Sequence, residues 1–183
     1  MAVAEPEKQW IVDDGPFGTI AQVLSAERVQ SWPPDCFLLA ARTVADAADD
    51  KSRRRQSLLP EYGGEGPFAA FDIPMSGEEA RYLFGYLRKT SSKNASLAEH
   101  QAITWAVFRA PEAIFVSQDR HAMVLALSEL GMGRVAYPFD LWAHLRDQRL
   151  IEAAEFRSLC LATRKGDGAL PGLPERLGIE APA

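Results

Sequence analysis

The chain has 183 residues, 47% of them hydrophobic and 25% charged, the balance of a globular protein with enough length for one real core. Its net charge of −5 argues against a protein that coats nucleic acid through bulk positive charge, though not against an enzyme that holds nucleic acid locally. No apolar run approaches the ~18 residues of a membrane span.

The first eight residues carry acids and Pro6 and lack an apolar segment, so no secretory signal is expected, and the chain is expected to be cytoplasmic. Cys36 and Cys160 have no metal-ligand spacing and read as buried thiols in a reducing compartment.

Residues 9–12 are apolar and end at Asp13-Asp14-Gly15-Pro16, where Pro16 suits the first turn of a helix. Phe17, Ile20, Ala21, Val23 and Leu24 follow at helical spacing, predicting strand, tight turn and helix. Trp32-Pro33-Pro34 breaks the chain, and 36–40 is a second strand-length apolar run. The Ala-rich, charged stretch 42–59 is expected to be helical, 61–67 a loop, and 68–73 extended. Ser76-Gly77-Glu78-Glu79 carries the Ser-x-x-Glu capping signature, with Tyr82, Leu83, Tyr86 and Leu87 on one helical face behind it. Residues 90–95 are turn-like.

Ser96-Leu97-Ala98-Glu99 repeats the signature and opens a helix to about Arg109, ended by Pro111. Residues 113–116 read as a buried strand bounded by Ser117-Gln118-Asp119. A helix over 122–130, stopped by Gly131 and Gly133, leads to a strand at 135–137. Helices then run from Pro138 through Leu145 and over 151–162. The order predicts an α/β fold: a parallel sheet of about four to five strands with helices on both faces. Residues 1–163 form the domain and 164–183 a Gly/Pro-rich tail.

Sites in such sheets form beyond the carboxyl ends of the strands. Asp13 follows the first strand directly, and Asp119 follows the strand at 113–116 after two polar residues. Glu99 lies on the apolar stripe of its helix, with Ala102, Ile103 and Ala106, at the end nearest the preceding loop. A carboxylate on a buried stripe is costly unless paired, protonated or bound to a cation. Gathered carboxylates repel, and a divalent ion removes the repulsion. Magnesium and manganese prefer oxygen ligands and can turn a bound water into a nucleophile against a phosphodiester. Each acid also has a plainer role open to it. Asp13 and Asp119 can cap the helices that follow them, and Glu99 can complete a capping box with Ser96.

In these segments the chain resembles the PIN-domain nuclease family. Ile11-Val12-Asp13-Asp14-Gly15-Pro16-Phe17 is similar to that family's first strand, with Asp13 on its first metal-binding acid and Asp14 where Thr or Ser is usual. Residues 96–103, with Glu99, are similar to the family's Gly-Glu-Ala-Glu-Ala-Ile segment. Residues 114–119, with Ala126, Leu130 and Gly131 behind them, resemble the strand, Asp and helix that close the site, and 134–151 its usual ending. The resemblance covers about 10–151 and rests on order and spacing. It implies a PIN-like fold and a Mg2+- or Mn2+-dependent endoribonuclease with Asp13, Glu99 and Asp119 as catalytic, metal-holding acids. It further implies RNA as substrate, an antitoxin protein as partner in a toxin–antitoxin pair, and a homo-oligomer. Asp46 is the counterpart of the acid such enzymes carry after the second strand. Arg120 and His121 stand where many members have a further acid.

Two other readings stay open. A catalytically impaired PIN-like module could bind RNA or a protein. A phospho-receiver domain shares the acidic pair after its first strand, but requires a Lys after its last, where this chain has Tyr137-Pro138. The basic run Lys51 to Arg55, with Arg53, Arg54 and Arg55, can contact a nucleic-acid backbone or form a solvated helix face.

Overall fold

A computed structural model describes residues 9–33, 38–46, 50–59, 67–90 and 96–165. Five short strands form one all-parallel sheet: β1 (Trp10–Val12), β2 (Leu38–Ala41), β3 (Phe68–Phe71), β4 (Ile114–Val116) and β5 (Val135–Ala136). The spatial order is β3-β2-β1-β4-β5. β1 and β2 are buried along their whole length, as expected of strands covered on both faces.

The chain steps outward from β1 to β2 to β3, then crosses back over β1 to β4 and β5. With right-handed crossovers, this reversal sends the two sets of helices to opposite faces. On one side α1 (Asp14–Val23) packs against α4 (Asp50–Gln56) and α10 (Ala153–Lys165), and α10 packs on α9 (Pro138–Asp147). On the other, α7 (Leu97–Phe108) packs against α8 (Arg120–Leu130) and a π-helical stretch, Arg81–Leu87. Ile11, Phe17, Ile20, Leu38, Phe68, Phe115 and Trp142 lie fully buried in one continuous core. The Trp142 indole N–H is satisfied within it, donating to Thr163 Oγ1 at 3.0 Å.

Several expectations change in detail. A short α2 (Ala26–Gln30), capped by Ser25, precedes the Trp32-Pro33 break. The helix expected over 42–59 is two short pieces, α3 (Arg42–Ala45) and α4. At Ser76 the side chain makes no capping bond to α5 (Gly77–Ala80). Glu79 is drawn instead to Arg109, whose Nε donates to it at 2.5 Å, so the charged partner outcompetes the backbone N–H. Beyond α5 the backbone widens to π geometry before α6 (Arg88–Thr90), burying Leu83 and Leu87 but leaving Tyr86 exposed. The last helix begins two residues later than expected, because Arg149 turns the chain at φ 61° after α9. Cys160 is buried. Cys36, the 91–95 turn and the tail beyond Lys165 lie outside the described residues. Among the described residues no helix is long and apolar enough to cross a membrane.

Ile11 sits at the centre of this packing. Ile11→Ala should lower unfolding stability by about 2–5 kcal/mol, while Leu161→Ala on the exposed face of α10 should stay within about 0.5 kcal/mol. Urea unfolding followed by circular dichroism reads both.

Candidate functional site

The parallel register sets Val12 beside Val116, so the next residues, Asp13 and Ser117, emerge side by side at the carboxyl end of the sheet. Here, between β1 and β4, the strand order reverses, which is where open α/β sheets form their crevice. Asp13 N donates to Val116 O at 3.0 Å, extending the ladder one step further.

Ser117 is fully buried and links two acids. Its Oγ donates to Asp13 Oδ2 at 2.6 Å and accepts the Asp119 N–H at 3.0 Å. Asp13 Oδ1 accepts from Asp14 N at 2.8 Å, at the head of α1. Asp119 Oδ1 accepts from the His121 and Ala122 N–H groups at 2.7 and 2.9 Å, capping α8. Glu99 forms the expected capping box: its Oε2 accepts from Ser96 N at 2.7 Å, and Ser96 Oγ accepts from Glu99 N at 3.2 Å. The plainer structural role is therefore realised at all three acids. Each also keeps oxygen lone pairs beyond those the helices use.

Capping does not relieve the charge. Asp13 is 5% exposed and Glu99 8%. Burial pushes the Asp13 carboxyl up to about 6, against the hydrogen bonds from Ser117 and Asp14 N–H, with the charges of Asp14 and Asp119 adding to the rise. Burial likewise raises Glu99 to about 7, and the nearby charges of Asp13 and Asp119 push the same way. The three predicted acids thus share one electrostatic neighbourhood at the head of three helices.

Asp46 differs from them. It ends α3, is exposed, and is not among the charges acting on Asp13 or Glu99. His121 is exposed and contributes its backbone N–H. The basic run divides. Arg53 and Arg54 are exposed, whereas Arg55 is buried, ion-pairs with Asp14 and donates to Val44 O at 3.2 Å. Of the two readings of this run, the solvated helix face does not hold for Arg55, which the Asp14 carboxylate draws inward. Lys51, Arg54 and Arg55 line a cleft of about 490 Å3 together with Asp14, Gly15, Gly18 and Gln118.

The donor chemistry suits a hard dication: carboxylate oxygens only, with Asp13 and Glu99 raised in pKa by burial and by neighbouring negative charge. Among the described residues no three His, Cys, Asp or Glu side chains stand close enough to hold an ion as they are placed. Sequence reasoning missed Ser117. A Ser directly after an apolar strand was its one sequence signal, and the residue stands out only once the Val12–Val116 register is known. No protein-family model, curated protein or solved structure matches the chain.

Both carboxyls bind a proton more tightly folded than unfolded. Without divalent ions, stability should therefore fall as pH rises from about 4 to about 7, and level off above. Asp13→Asn should flatten that fall in urea melts in EDTA. Millimolar Mn2+ should restore stability to the wild type near neutral pH and not to Asp13→Asn.

Proposed function

We propose that this protein is a metal-dependent endoribonuclease of the PIN type, with Asp13, Glu99 and Asp119 as the acids that hold Mg2+ or Mn2+. The observation that supports this reading is the electrostatic influence of Asp13, Glu99 and Asp119 on one another near the reversal between β1 and β4. The 3-2-1-4-5 parallel order gives them one crevice in which to act. When bound, the ion supplies an acidified water and positive charge for phosphodiester hydrolysis.

The chain's own residues have separable roles. Ser117 orients Asp13 by its hydrogen bond to Oδ2. Glu99, held through Oε2 by the capping box, leaves Oε1 to face an ion. The N-termini of α7 and α8 stabilise the negative charge of Glu99 and Asp119. A cytoplasmic setting is part of the same reading. Restraint by an antitoxin protein and assembly into a homo-oligomer belong to the same proposal.

The second reading, a PIN-like module without catalysis, draws on the spacing of the acids and on Arg120 and His121 after Asp119. The phospho-receiver reading lacks support from the strand order, since receivers follow 2-1-3-4-5.

With Mg2+ or Mn2+ the wild type should cleave single-stranded RNA. Asp13→Asn, Glu99→Gln and Asp119→Asn should each reduce kcat/KM on the order of 100-fold and weaken metal binding in calorimetry. Equal residual activity in wild type and variants would remove the assignment. A wild type that binds RNA but neither metal nor turnover would favour the second reading. Ser117→Ala should act more mildly, reducing kcat by about 10-fold and raising the pH at which activity appears, because Asp13 loses a bond that favours its ionised form.

A further inference from the structure

Arginine grips an oxyanion best along the edge formed by Nε and one Nη, through two parallel N–H bonds. Arg28 uses that edge here: its Nε and Nη2 donate to the two oxygens of Glu155 at 2.9 and 3.1 Å. Arg55 is arranged otherwise. Both hydrogen bonds it makes to described residues, to Asp14 Oδ1 and Val44 O, come from Nη1. Its Nε–H is buried and has no partner among the described residues, although the residue is only 8% exposed. An unpaired N–H on a buried charged group is costly, and the position invites a ligand.

The surroundings indicate which ligand. The Nε–Nη2 edge lies against Gly18 in the cleft wall: a Cβ there would stand 2.8 Å from Nη2 and 3.6 Å from Nε. Only glycine therefore admits the guanidinium at this point of the wall. Lys51 and Arg54 line the same cleft, so three cations face the single carboxylate of Asp14. Gln118 lines it too, with a second buried and unpartnered atom, Oε1. The two ends of the cleft are tied to the acid cluster by sequence: Asp14 follows Asp13, and Gln118 lies between Ser117 and Asp119.

We propose that this cleft is a ribonucleotide subsite, in which the free edge of Arg55 takes a phosphodiester oxyanion, Arg54 adds charge, and Gln118 bonds the ribose 2′-hydroxyl. A 2′-hydroxyl both donates and accepts, so it satisfies the Gln118 amide in either orientation. The proposal deepens the nuclease reading by naming how the strand beside the cut is held.

Binding is measured in EDTA, without turnover, by fluorescence anisotropy of a single-stranded RNA and the DNA of the same sequence. Arg55→Lys keeps the charge and loses the fork, and should weaken both oligomers about 10-fold. Gly18→Ala, which crowds Nη2, should act in the same direction and carries the test if Arg55→Lys fails to fold. Gln118→Met should lower RNA affinity to that of DNA. Arg146→Gln, which removes an exposed cation outside the cleft, should bind as wild type. Wild-type affinity in Arg55→Lys and Gly18→Ala overturns the proposal. So does equal weakening by Arg146→Gln, which would make the effect one of overall charge. Equal wild-type affinity for RNA and DNA removes the hydroxyl contact and with it the ribonucleotide assignment. Inorganic phosphate serves as a second probe: Arg55-dependent phosphate binding beside Arg55-independent oligomer binding would assign the cleft to a free anion and overturn the proposal. A chain that binds RNA this way yet never cleaves it leaves the subsite standing and removes the nuclease. One that cleaves with RNA affinity and KM untouched by Arg55→Lys does the reverse.

Discussion

The hydrogen bond from Ser117 to Asp13 is the contact on which the site depends. It joins the first residue after β1 to the first after β4, strands separated by more than a hundred positions in sequence. Through its second bond, from Asp119 N, the same hydroxyl fixes where α8 begins. One buried oxygen thus sets the relation between two loops that would otherwise be positioned only by the strands beneath them. Because the contact lies in the core-facing layer, it draws rigidity from the packing of Val12, Phe115 and Val116.

Placing negative charge in such a location opposes folding. Burial and mutual repulsion raise Asp13 and Glu99, while the helix N–H groups and Ser117 pull the other way. These opposing contributions leave two carboxyls raised toward neutral pH, a regime in which small changes in surrounding charge alter protonation. The arrangement separates this site from the ordinary acids of the surface, such as Asp72 paired with Arg42 at 2.7 Å, whose charge is exposed and solvated.

The architecture was legible because its signals are local. Apolar runs of three to five residues, Pro16 and Gly131 as punctuation, and the Ser96–Glu99 box each follow from backbone chemistry within a few positions, and the structure has them where expected. Less legible were features settled by contacts distant in sequence. Glu79 carries the same capping signature as Glu99 but is claimed by Arg109, thirty residues away. Arg55 looks like its exposed neighbours Arg53 and Arg54 until Asp14 draws it inward. Nor could Ser117 be singled out before the strand register was known. Glu99 could, since a charged residue on an apolar helical stripe is itself an anomaly.

The acids at the head of α1, α7 and α8 bind backbone amides as well as one another's fields. Helix initiation and the proposed metal chemistry consequently lean on the same atoms. A descendant of this protein without the proposed activity would still be selected to retain oxygen acceptors at these three places, merely to begin its helices. Amides could replace the acids at Asp13 and Asp119 with little loss of folding, and the ancestral outline of the crevice would persist without its charge. The presence of an acceptor there records architecture; the negative charge records work.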